Sequence, residues 1–275
     1  MNQGRLTLLP GKPVMDADCA QSQTLYYTPY TGNQVQAWDG QAFAPVKFAE
    51  LALPLGAMRA GELRDVFFDG QALALGAPWA GNARVAPVAM VDGTWCDEQR
   101  RTYLGSVYAP EAGITRFQLK PAPVPNATCN MLGLWNACNR VRVRALCRDL
   151  TTSWSYANAG PRMVNNSNRW RISWIDGLAQ SFVSASYQTS VAGVNGLPAA
   201  ATVDAVLDAA YPLQLNAELN QAALNSPQLG MMLEGRGETY PQLGLHYYQA
   251  VEQSTPVPIM FYGNDFSALT VDLEM

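Results

Sequence analysis

The sequence predicts an all-β protein: an N-terminal antiparallel β-meander domain followed by a β-sandwich or jelly-roll-like domain, with little helix. Three observations carry this prediction. Asp-Gly pairs recur between strand-forming segments, apolar and polar residues alternate with a period of two, and turn residues return at short intervals. Many short strands with frequent turns are typical of sandwiches and jelly rolls rather than of α/β enzymes.

The Asp-Gly pairs lie at three places in the first hundred residues. A two-residue hairpin loop needs positive φ at both central positions, and Asp or Asn followed by Gly adopts these angles at least cost. We therefore expect hairpin turns at Asp39–Gly40, Asp69–Gly70 and Asp92–Gly93. Turn chemistry accounts for the three aspartates, so a calcium or phosphate role is the less favoured alternative.

The chain divides into three predicted parts. Residues 1–20 contain Gly, Pro and Asp and few core-forming positions, which predicts an N-terminal arm that is poorly ordered on its own. Residues 21–120 form the predicted meander, and residues 121–275 form the predicted sandwich. The boundary falls in the stiff, Pro-rich stretch 121–130.

A strictly alternating segment in the third part carries three arginines. Because side chains at i, i+2 and i+4 share one face of a strand, we expect Arg140, Arg142 and Arg144 to form a positive stripe. One interpretation is docking to an acidic partner or an anionic sugar. Salt bridges across strands, or pairing across a subunit interface, are favoured because long Arg side chains also cover apolar surface.

Helical patterns are scarce. The residues after Thr202 are compatible with a capped helix over 203–211, and the segments 218–225 and 130–139 are compatible with short helices. The glycine-rich segment 234–239 lacks the Lys and the strand–helix context of a phosphate-binding loop. We therefore expect it to be a mobile surface loop.

Composition excludes several classes of partner. Charged residues make up only 15% of the chain and the net charge is −4, so neither nucleic acid nor an anionic membrane is indicated. No segment approaches the roughly 20 apolar residues of a membrane span, which argues against membrane insertion. The first residues lack an apolar stretch of signal-peptide length. We therefore expect the chain to stay in the compartment where it is made.

Catalytic motifs are absent from the sequence. His246 is the only histidine, and it lies in an alternating segment where a structural role is favoured over a role as catalytic base. There is no nucleophile elbow and no nucleotide-binding glycine motif. Acidic residues are scattered without the spacing of a glycosidase pair. We therefore predict that the protein is not an enzyme and uses no cofactor.

The five cysteines fit a disulfide framework poorly, because their number is odd. Cys129, Cys138 and Cys147 are evenly spaced, but they lack the close Cys-x-x-Cys pair that is usual in zinc sites. Buried reduced thiols are therefore favoured over a metal site. The many Tyr and Trp residues leave two alternatives open, because they either stack on sugars from an exposed face or fill the core and a subunit seam.

A series of longer motifs runs almost from end to end of the chain. It comprises GRLTLLPGKPVMDADCAQSQTLYYTPYTGNQVQAWDGQAF, VFFDGQALALGAPWAGNARVAPVAMVDGTW, RRTYLGSV, LWNACNRVRVRAL, TTSWSYANAGPRMVNNSNRW, GLHYYQAVEQ and FYGND. In order and spacing these motifs resemble a family of tailed-bacteriophage and prophage structural proteins, usually described as fibre-like or minor virion proteins. Agreement is weakest over about residues 197–243.

The resemblance implies a virion appendage, either a fibre or a decoration protein on the tail or the head. It implies a homotrimer that contacts other virion proteins through an N-terminal anchor, for which the candidates are Arg5, Leu6, Leu8 and Leu9. The protein would be made in the bacterial cytoplasm, where thiols stay reduced, and it would end in the virion. The alternative is a receptor-binding tip for a host surface glycan, and a glycan-cleaving depolymerase is less favoured. The resemblance implies neither catalytic residues nor cofactors.

Overall fold

The computed structural model describes residues 2–193, 199–209, 220–224 and 231–275, and it confirms the all-β prediction. These residues form 24 strands and one short 3-10 turn, Val164–Asn166. The strands are β1 (Gly4–Thr7), β2 (Cys19–Ser22), β3 (Thr24–Pro29), β4 (Gln34–Trp38), β5 (Phe43–Lys47), β6 (Leu51–Pro54), β7 (Glu62–Phe68), β8 (Leu73–Pro78), β9 (Ala89–Val91), β10 (Thr94–Cys96), β11 (Thr102–Ala109), β12 (Thr115–Phe117), β13 (Asn130–Leu132), β14 (Leu134–Asn136), β15 (Arg142–Cys147), β16 (Ser153–Tyr156), β17 (Arg162–Met163), β18 (Arg171–Asp176), β19 (Val183–Gly193), β20 (Ala199–Leu207), β21 (Asn220–Leu224), β22 (Met231–Thr239), β23 (Gly244–Ser254) and β24 (Ile259–Glu274).

The first part of the chain folds into small antiparallel sheets joined by hairpins. One sheet has the strand order β1-β3-β6, and β4 pairs with β5 alone. A further sheet has the order β8-β7-β11-β10-β9, with β14 added beside β11. Four of these eight pairings join strands that follow one another in the chain, so this part is rich in hairpins, as the Asp-Gly pairs indicate.

Two larger sheets face each other in the second part. The first has the order β2-β12-β13-β18-β23-β20-β21 with β17 beside β23, and the second has the order β15-β24-β19-β22 with β16 beside β24. Trp170, buried next to β18, fills the space between them, since its ring lies 5.4 Å from the ring of Tyr187 on β19. Alternate residues of both sheets therefore supply one sandwich core.

Only one Asp-Gly pair forms the expected two-residue loop. Val91 pairs with Thr94, and between them Asp92 and Gly93 have φ of 49° and 76°, the left-handed geometry that this turn needs. The residue types at this position therefore fix the turn as the sequence predicts.

The other two Asp-Gly pairs belong to four-residue loops with the common sequence Asp-Gly-Gln-Ala, which corrects the prediction for them. The carboxylate of Asp39 accepts hydrogen bonds from the backbone N–H groups of Gln41 (2.8 Å) and Ala42 (2.9 Å). Asp69 makes the same two bonds in its own loop. These backbone hydrogen bonds lower the pKa of both carboxyl groups, and the bond from the alanine N–H has the largest effect. In these two loops the glycine adopts a positive φ and the aspartate does not. The aspartate therefore stabilises the loop as a hydrogen-bond acceptor and not through a left-handed backbone.

The expectation of a loosely packed arm over residues 1–20 is wrong. β1 is buried along its whole length against β3, and Arg5, Leu6 and Leu8 are buried while Leu9 is half-buried. Arg5 donates hydrogen bonds to the carbonyl oxygens of Pro13 (2.9 Å) and Met275 (3.0 Å) and also to that of Asn139. The Gly and Pro residues after β1 lie in turns between buried positions, so they do not prevent this segment from packing on the core.

The predicted boundary at residues 120–121 lies within continuous structure. β12 and β13 are neighbours in one sheet on either side of it, and β11 pairs with β14 across it. The buried apolar residues of both predicted domains belong to one cluster. The Pro-rich stretch therefore passes over a shared core instead of linking two separate ones.

Strands occupy most of the described positions in the four segments assigned to helix or loop from sequence, and none of the described positions is in an α-helix. The segment after Thr202 lies in β20, where Val203, Asp204 and Ala205 are all buried, so the apparent helical face reflects burial on both sides of the strand. Segment 130–139 contains β13 and β14, and segment 218–225 contains β21. Residues 210, 211, 218, 219 and 225 lie outside the described part.

The glycine-rich segment 234–239 belongs to β22 and is not a loop. A side-chain Cβ at Gly235 would lie 2.3 Å from the Cα of Asp204 on the facing sheet, and one at Gly237 would meet the carbonyl oxygen of Ala205 at 2.6 Å. The two glycines therefore let the backbones of β20 and β22 approach closely, which is their role in the strand.

Candidate functional site

The predicted arginine stripe is present in part. Arg142 and Arg144 extend from the exposed face of β15, with side chains 73% and 62% exposed. Both reach Asp272 on β24, at 3.7 Å and 2.9 Å, and Arg144 contacts both carboxylate oxygens. Arg140 instead lies with its guanidinium 5.5 Å from the ring of Trp135, because the chain has not yet entered the strand. The stripe thus consists of two arginines that share one aspartate across adjacent strands.

A groove of about 550 Å³ runs alongside this part of β15. The lining comes from the strand itself and from the segment 14–18. The floor is apolar, since Met15 and Val143 are buried. The lining residues are Val14, Met15, Asp16, Ala17, Asp18, Leu119, Lys120, Val141, Arg142, Val143 and Arg144. The groove therefore lies beside the strand that ends the second sandwich sheet.

The main chain of β15 faces this groove with unpaired groups. Val141 and Met275 exchange both backbone hydrogen bonds, and the register continues without a shift to Arg144↔Asp272 and beyond. In an antiparallel ladder hydrogen-bonded and non-hydrogen-bonded pairs alternate, so the N–H and C=O groups of Arg142 and Arg144 point away from β24. Leu146, two residues further on, already uses its outward N–H to bond the carbonyl of Leu119 (2.7 Å). β15 is thus an edge strand, and among the described residues the outward main-chain groups of Arg142 and Arg144 have no backbone partner.

A second cavity, of about 380 Å³, lies at one end of the sandwich. It is formed where β24 leaves its regular path: Thr189 pairs with Ser267 but the next residue, Ser190, pairs with Tyr262. Residues 263–266 therefore protrude as a four-residue excursion from the strand, a feature that often redirects side chains near functional sites. The lining residues are Pro123, Arg148, Asp149, Leu150, Asn264, Asp265 and Phe266.

The cavity combines an apolar wall with a polar rim. Phe266 and Leu150 are large apolar residues that remain exposed, at 56% and 47%. Arg148 and Asp265 form an ion pair of 3.3 Å at the surface. Within the described residues the backbone around the cavity is held by bonds from Asn264 N to the carbonyl of Asp149 (2.8 Å) and from Gly263 N to that of Thr152 (3.0 Å).

Left-handed backbone conformations concentrate behind this cavity. Ten non-glycine residues have positive φ in the described part of the chain, and half of them are here: Asn126, Ala127, Asn165, Asn166 and Asn264. Hydrogen bonds join these segments to one another, from Asn126 N to Thr151 Oγ1 (3.3 Å) and from Ser167 Oγ to the carbonyl of Asn126 (2.8 Å). Such conformations persist only where the surroundings determine them, and they cluster at functional sites.

A buried carboxylate supports the same end of the sandwich. Glu252 on β23 is fully buried and accepts hydrogen bonds from Trp154 Nε1 (2.7 Å), Arg162 Nε (2.8 Å) and the backbone N–H of Asn165 (3.2 Å). The side-chain amide of Asn165 in turn donates a hydrogen bond to the carboxylate of buried Asp149 (3.3 Å). Burial raises the pKa of Glu252 to about 7, although Trp154 and Arg162 oppose the shift.

This raised pKa predicts how stability depends on pH. Between about pH 4.5 and 7 the folded chain keeps the proton on Glu252 after the unfolded chain has lost its own, so the free energy of unfolding falls by about 3 kcal/mol as pH rises. Glu252→Gln, which cannot ionise, is expected to flatten that part of the profile. Urea unfolding at several pH values measures it. The exposed Glu98→Gln is the control, and a slope unchanged in the Glu252 variant would contradict the assignment.

The single histidine has a structural position. His246 Nδ1 lies 2.7 Å from the carboxylate of Asp208, and Nε2 lies 3.1 Å from the carbonyl oxygen of Leu243. Burial alone would lower the pKa of this imidazole, but the hydrogen bond and charge of Asp208 raise it. With acceptors at both nitrogens, the ring is held as a donor to each.

The cysteines are all free, and they differ in exposure. Cys96 and Cys147 are buried, as expected, whereas Cys129 is exposed and Cys19 and Cys138 are half-buried. Burial raises the pKa of the Cys147 thiol to about 12. In the described ranges, no three His, Cys, Asp or Glu side chains come together as metal ligands.

Most of the aromatic residues considered for sugar stacking fill the core. Trp170, Trp174, Tyr187 and Tyr248 are buried, whereas Tyr240 is exposed. Of the two larger cavities described above, only the one at the end of the sandwich has an aromatic ring in its lining, that of Phe266. No sequence pattern points to this residue directly. The motif FYGND just before it, with Gly263 and Asn264 inside a strand pattern, is the signal that indicates a break in β24.

Comparisons with known proteins identify no family. No family model and no curated protein matches the chain. Among solved structures, that of the infectious bursal disease virus Gx strain is similar at 11% identity and a TM-score of 0.22, over 98% of this chain and 74% of that one. The Cry4Aa toxin from Bacillus thuringiensis is similar at 9% identity and a TM-score of 0.20, over 92% of this chain and 49% of the toxin chain. A Bacillus thuringiensis Cry1Da tryptic core variant is similar at 6% identity and a TM-score of 0.19, over 92% of this chain and 48% of that one.

The chain spans about half the length of the two toxin chains. TM-scores this low carry no argument about fold or function. Across the described parts of the chain, no helix is long and apolar enough to cross a membrane.

Proposed function

We propose that the chain is a structural component of a tailed-bacteriophage virion, a fibre or decoration protein that joins further copies of itself and other virion proteins. The observation that carries the proposal is the free edge of β15 beside an open groove. An exposed strand edge with unpaired main-chain groups is a template for pairing with another chain. The motif order that resembles fibre-like virion proteins and the low charge of the chain give further support.

The contact we propose differs from the one the sequence suggests. Arg5, Leu6 and Leu8 are buried within the chain, so they are not free to anchor it to a particle. Arg142 and Arg144 are exposed beside the groove. Their outward main-chain groups can pair with an incoming strand, and their guanidinium groups favour a strand that carries acidic side chains. A closed ring such as a homotrimer would cover each such edge, and repeated weak contacts would become strong through effective concentration.

A proline at the free edge tests this assembly surface. Arg144→Pro removes one outward N–H donor and leaves the ladder to β24 intact, because residue 144 sits in a non-hydrogen-bonded pair. Sedimentation velocity is expected to show oligomers for the wild type and a shift to monomer for this variant. The matched control is Arg144→Ala, which also loses the bond to Asp272 but keeps the N–H, and which we expect to assemble.

Circular dichroism checks that all three proteins keep their strand content. A wild-type monomer at micromolar concentration would contradict self-assembly. Assembly of the proline variant at the wild-type level would show that the edge of β15 is not the contact.

A further inference from the structure

The cavity at the end of the sandwich presents an apolar surface that folding leaves uncovered. Phe266 is 56% exposed, and its ring is held edge-on to Tyr262 with centroids 6.3 Å apart. Leu150 extends the same surface from another loop. Large apolar side chains that line a cavity and remain in contact with water are typical of ligand sites, whose volumes usually lie between about 300 and 1,000 Å³.

The polar groups around this surface include both hydrogen-bond donors and hydrogen-bond acceptors. Arg148 donates only, Asp265 accepts only, and Asn264 has an amide that does both. The ion pair between Arg148 and Asp265 is exposed, so it is weak and exchanges readily for ligand hydrogen bonds. The charges of the pair cancel at the mouth, and the third charged side chain of the lining, Asp149, is buried and accepts hydrogen bonds from the backbone N–H of Thr151 (2.7 Å) and the side-chain amide of Asn165 (3.3 Å). A charged ligand would therefore meet one favourable and one unfavourable partner.

From this arrangement we propose that the cavity binds a neutral saccharide unit, with a face of C–H groups on Phe266 and hydroxyls on the rim. A sugar hydroxyl both donates and accepts, so it satisfies Arg148, Asn264 and Asp265 alike. A purely apolar ligand would bury these groups without partners. The proposed ligand is an uncharged sugar, either free or within a glycan.

The site is held rigidly before any ligand arrives. Ser267, which closes the excursion, bonds through its hydroxyl to that of Thr189 (2.6 Å). A Cβ at Gly263 would lie 1.9 Å from the carbonyl oxygen of Thr151, so the excursion lies directly on the neighbouring loop. Behind it, Asp149 bonds to Asn165, which bonds to Glu252. A rigid arrangement lowers the entropic cost of binding, which matters most for a weak ligand such as one sugar.

Saturation-transfer NMR on the full chain tests the proposal. The probes are the methyl glycosides of glucose, galactose, mannose and N-acetylglucosamine at about 50 mM, above the millimolar Kd expected for one sugar unit. We expect saturation of at least one glycoside, strongest on the protons of one ring face. Phe266→Ala is expected to weaken binding roughly tenfold, because it removes the stacking face. Phe182→Ala removes an equally exposed ring (54%) elsewhere and is the matched control.

Each outcome decides the proposal. Saturation that is lost in the Phe266 variant and kept in the Phe182 variant supports it. No saturation of any glycoside, or equal saturation in both variants, overturns it. A fragment of host surface polysaccharide is the second probe: tighter binding than the best monosaccharide assigns the site to a glycan, and equal binding assigns it to a free sugar. Neither variant touches β15, so sedimentation velocity reports on assembly independently.

Discussion

Asp65→Ala is expected to lower the free energy of unfolding by about 3–5 kcal/mol, because it leaves the buried guanidinium of Arg84 without its partner. Asp65 accepts from Arg84 Nε (2.6 Å) and Nη2 (3.0 Å), and also from Ser106 Oγ (2.9 Å). The side chains of Arg84 and Asp65 are only 10% and 4% exposed. Arg84 also donates to the carbonyl of Gly177 (2.5 Å). The pair therefore connects the hairpins of the first part to the sandwich.

Urea denaturation at pH 7 measures this loss as a lower midpoint. Asp265→Ala is the control, since it removes a carboxylate from the exposed pair with Arg148, and its cost is expected to stay below about 1 kcal/mol. Equal, small losses in the two variants would show that the buried network does not hold the two parts together. Two separate transitions in the wild type would contradict the shared core.

Trp170→Ala is expected to cost about 3–5 kcal/mol, since it leaves a large cavity between the two sandwich sheets. Trp170 is fully buried, and its ring lies 5.4 Å from that of Tyr187 and 6.5 Å from that of Trp154. Its indole N–H has no partner among the described residues, so the loss comes from packing and not from a hydrogen bond. Trp170→Phe keeps much of the volume, and its cost is expected to be clearly smaller.

The measurement for this pair is the denaturation midpoint at constant slope, because a constant slope shows that the surface exposed on unfolding has not changed. An alanine variant as stable as the phenylalanine variant would mean that Trp170 is not enclosed by two sheets. The sandwich itself would then be in question.

The sequence predicts the fold class well because its signals are local. Alternation along β15 and the turn at Asp92–Gly93 each involve a few consecutive residues, and the structure has them as predicted. The same reasoning fails where burial on both faces removes the alternation. In β20 consecutive residues from Val203 to Ala205 are all buried, and the remaining pattern imitates a helix.

The candidate sites depend on long-range pairing, which no local pattern encodes. β1 becomes a core strand because it pairs with β3, so its Gly and Pro neighbours give a misleading impression of an arm. The saccharide cavity brings together Pro123, segment 148–150 and segment 264–266. The pairing of β24 with both β15 and β16 brings the last two segments together, and the bridge between Val124 and Asp149 adds Pro123. Arg142 and Arg144 could be predicted to share a face because both lie in β15, whereas Arg140 precedes the strand.

The composition of purified virions tests whether the chain is a structural component of the particle. Particles from cells that express the chain are isolated by density gradient, washed at high salt and analysed by quantitative mass spectrometry and gold labelling. We expect the chain in the particle fraction, in a fixed number of copies at one defined position on the head or tail. A chain that remains wholly in the soluble fraction, with particles complete without it, would rule out a structural role in the virion.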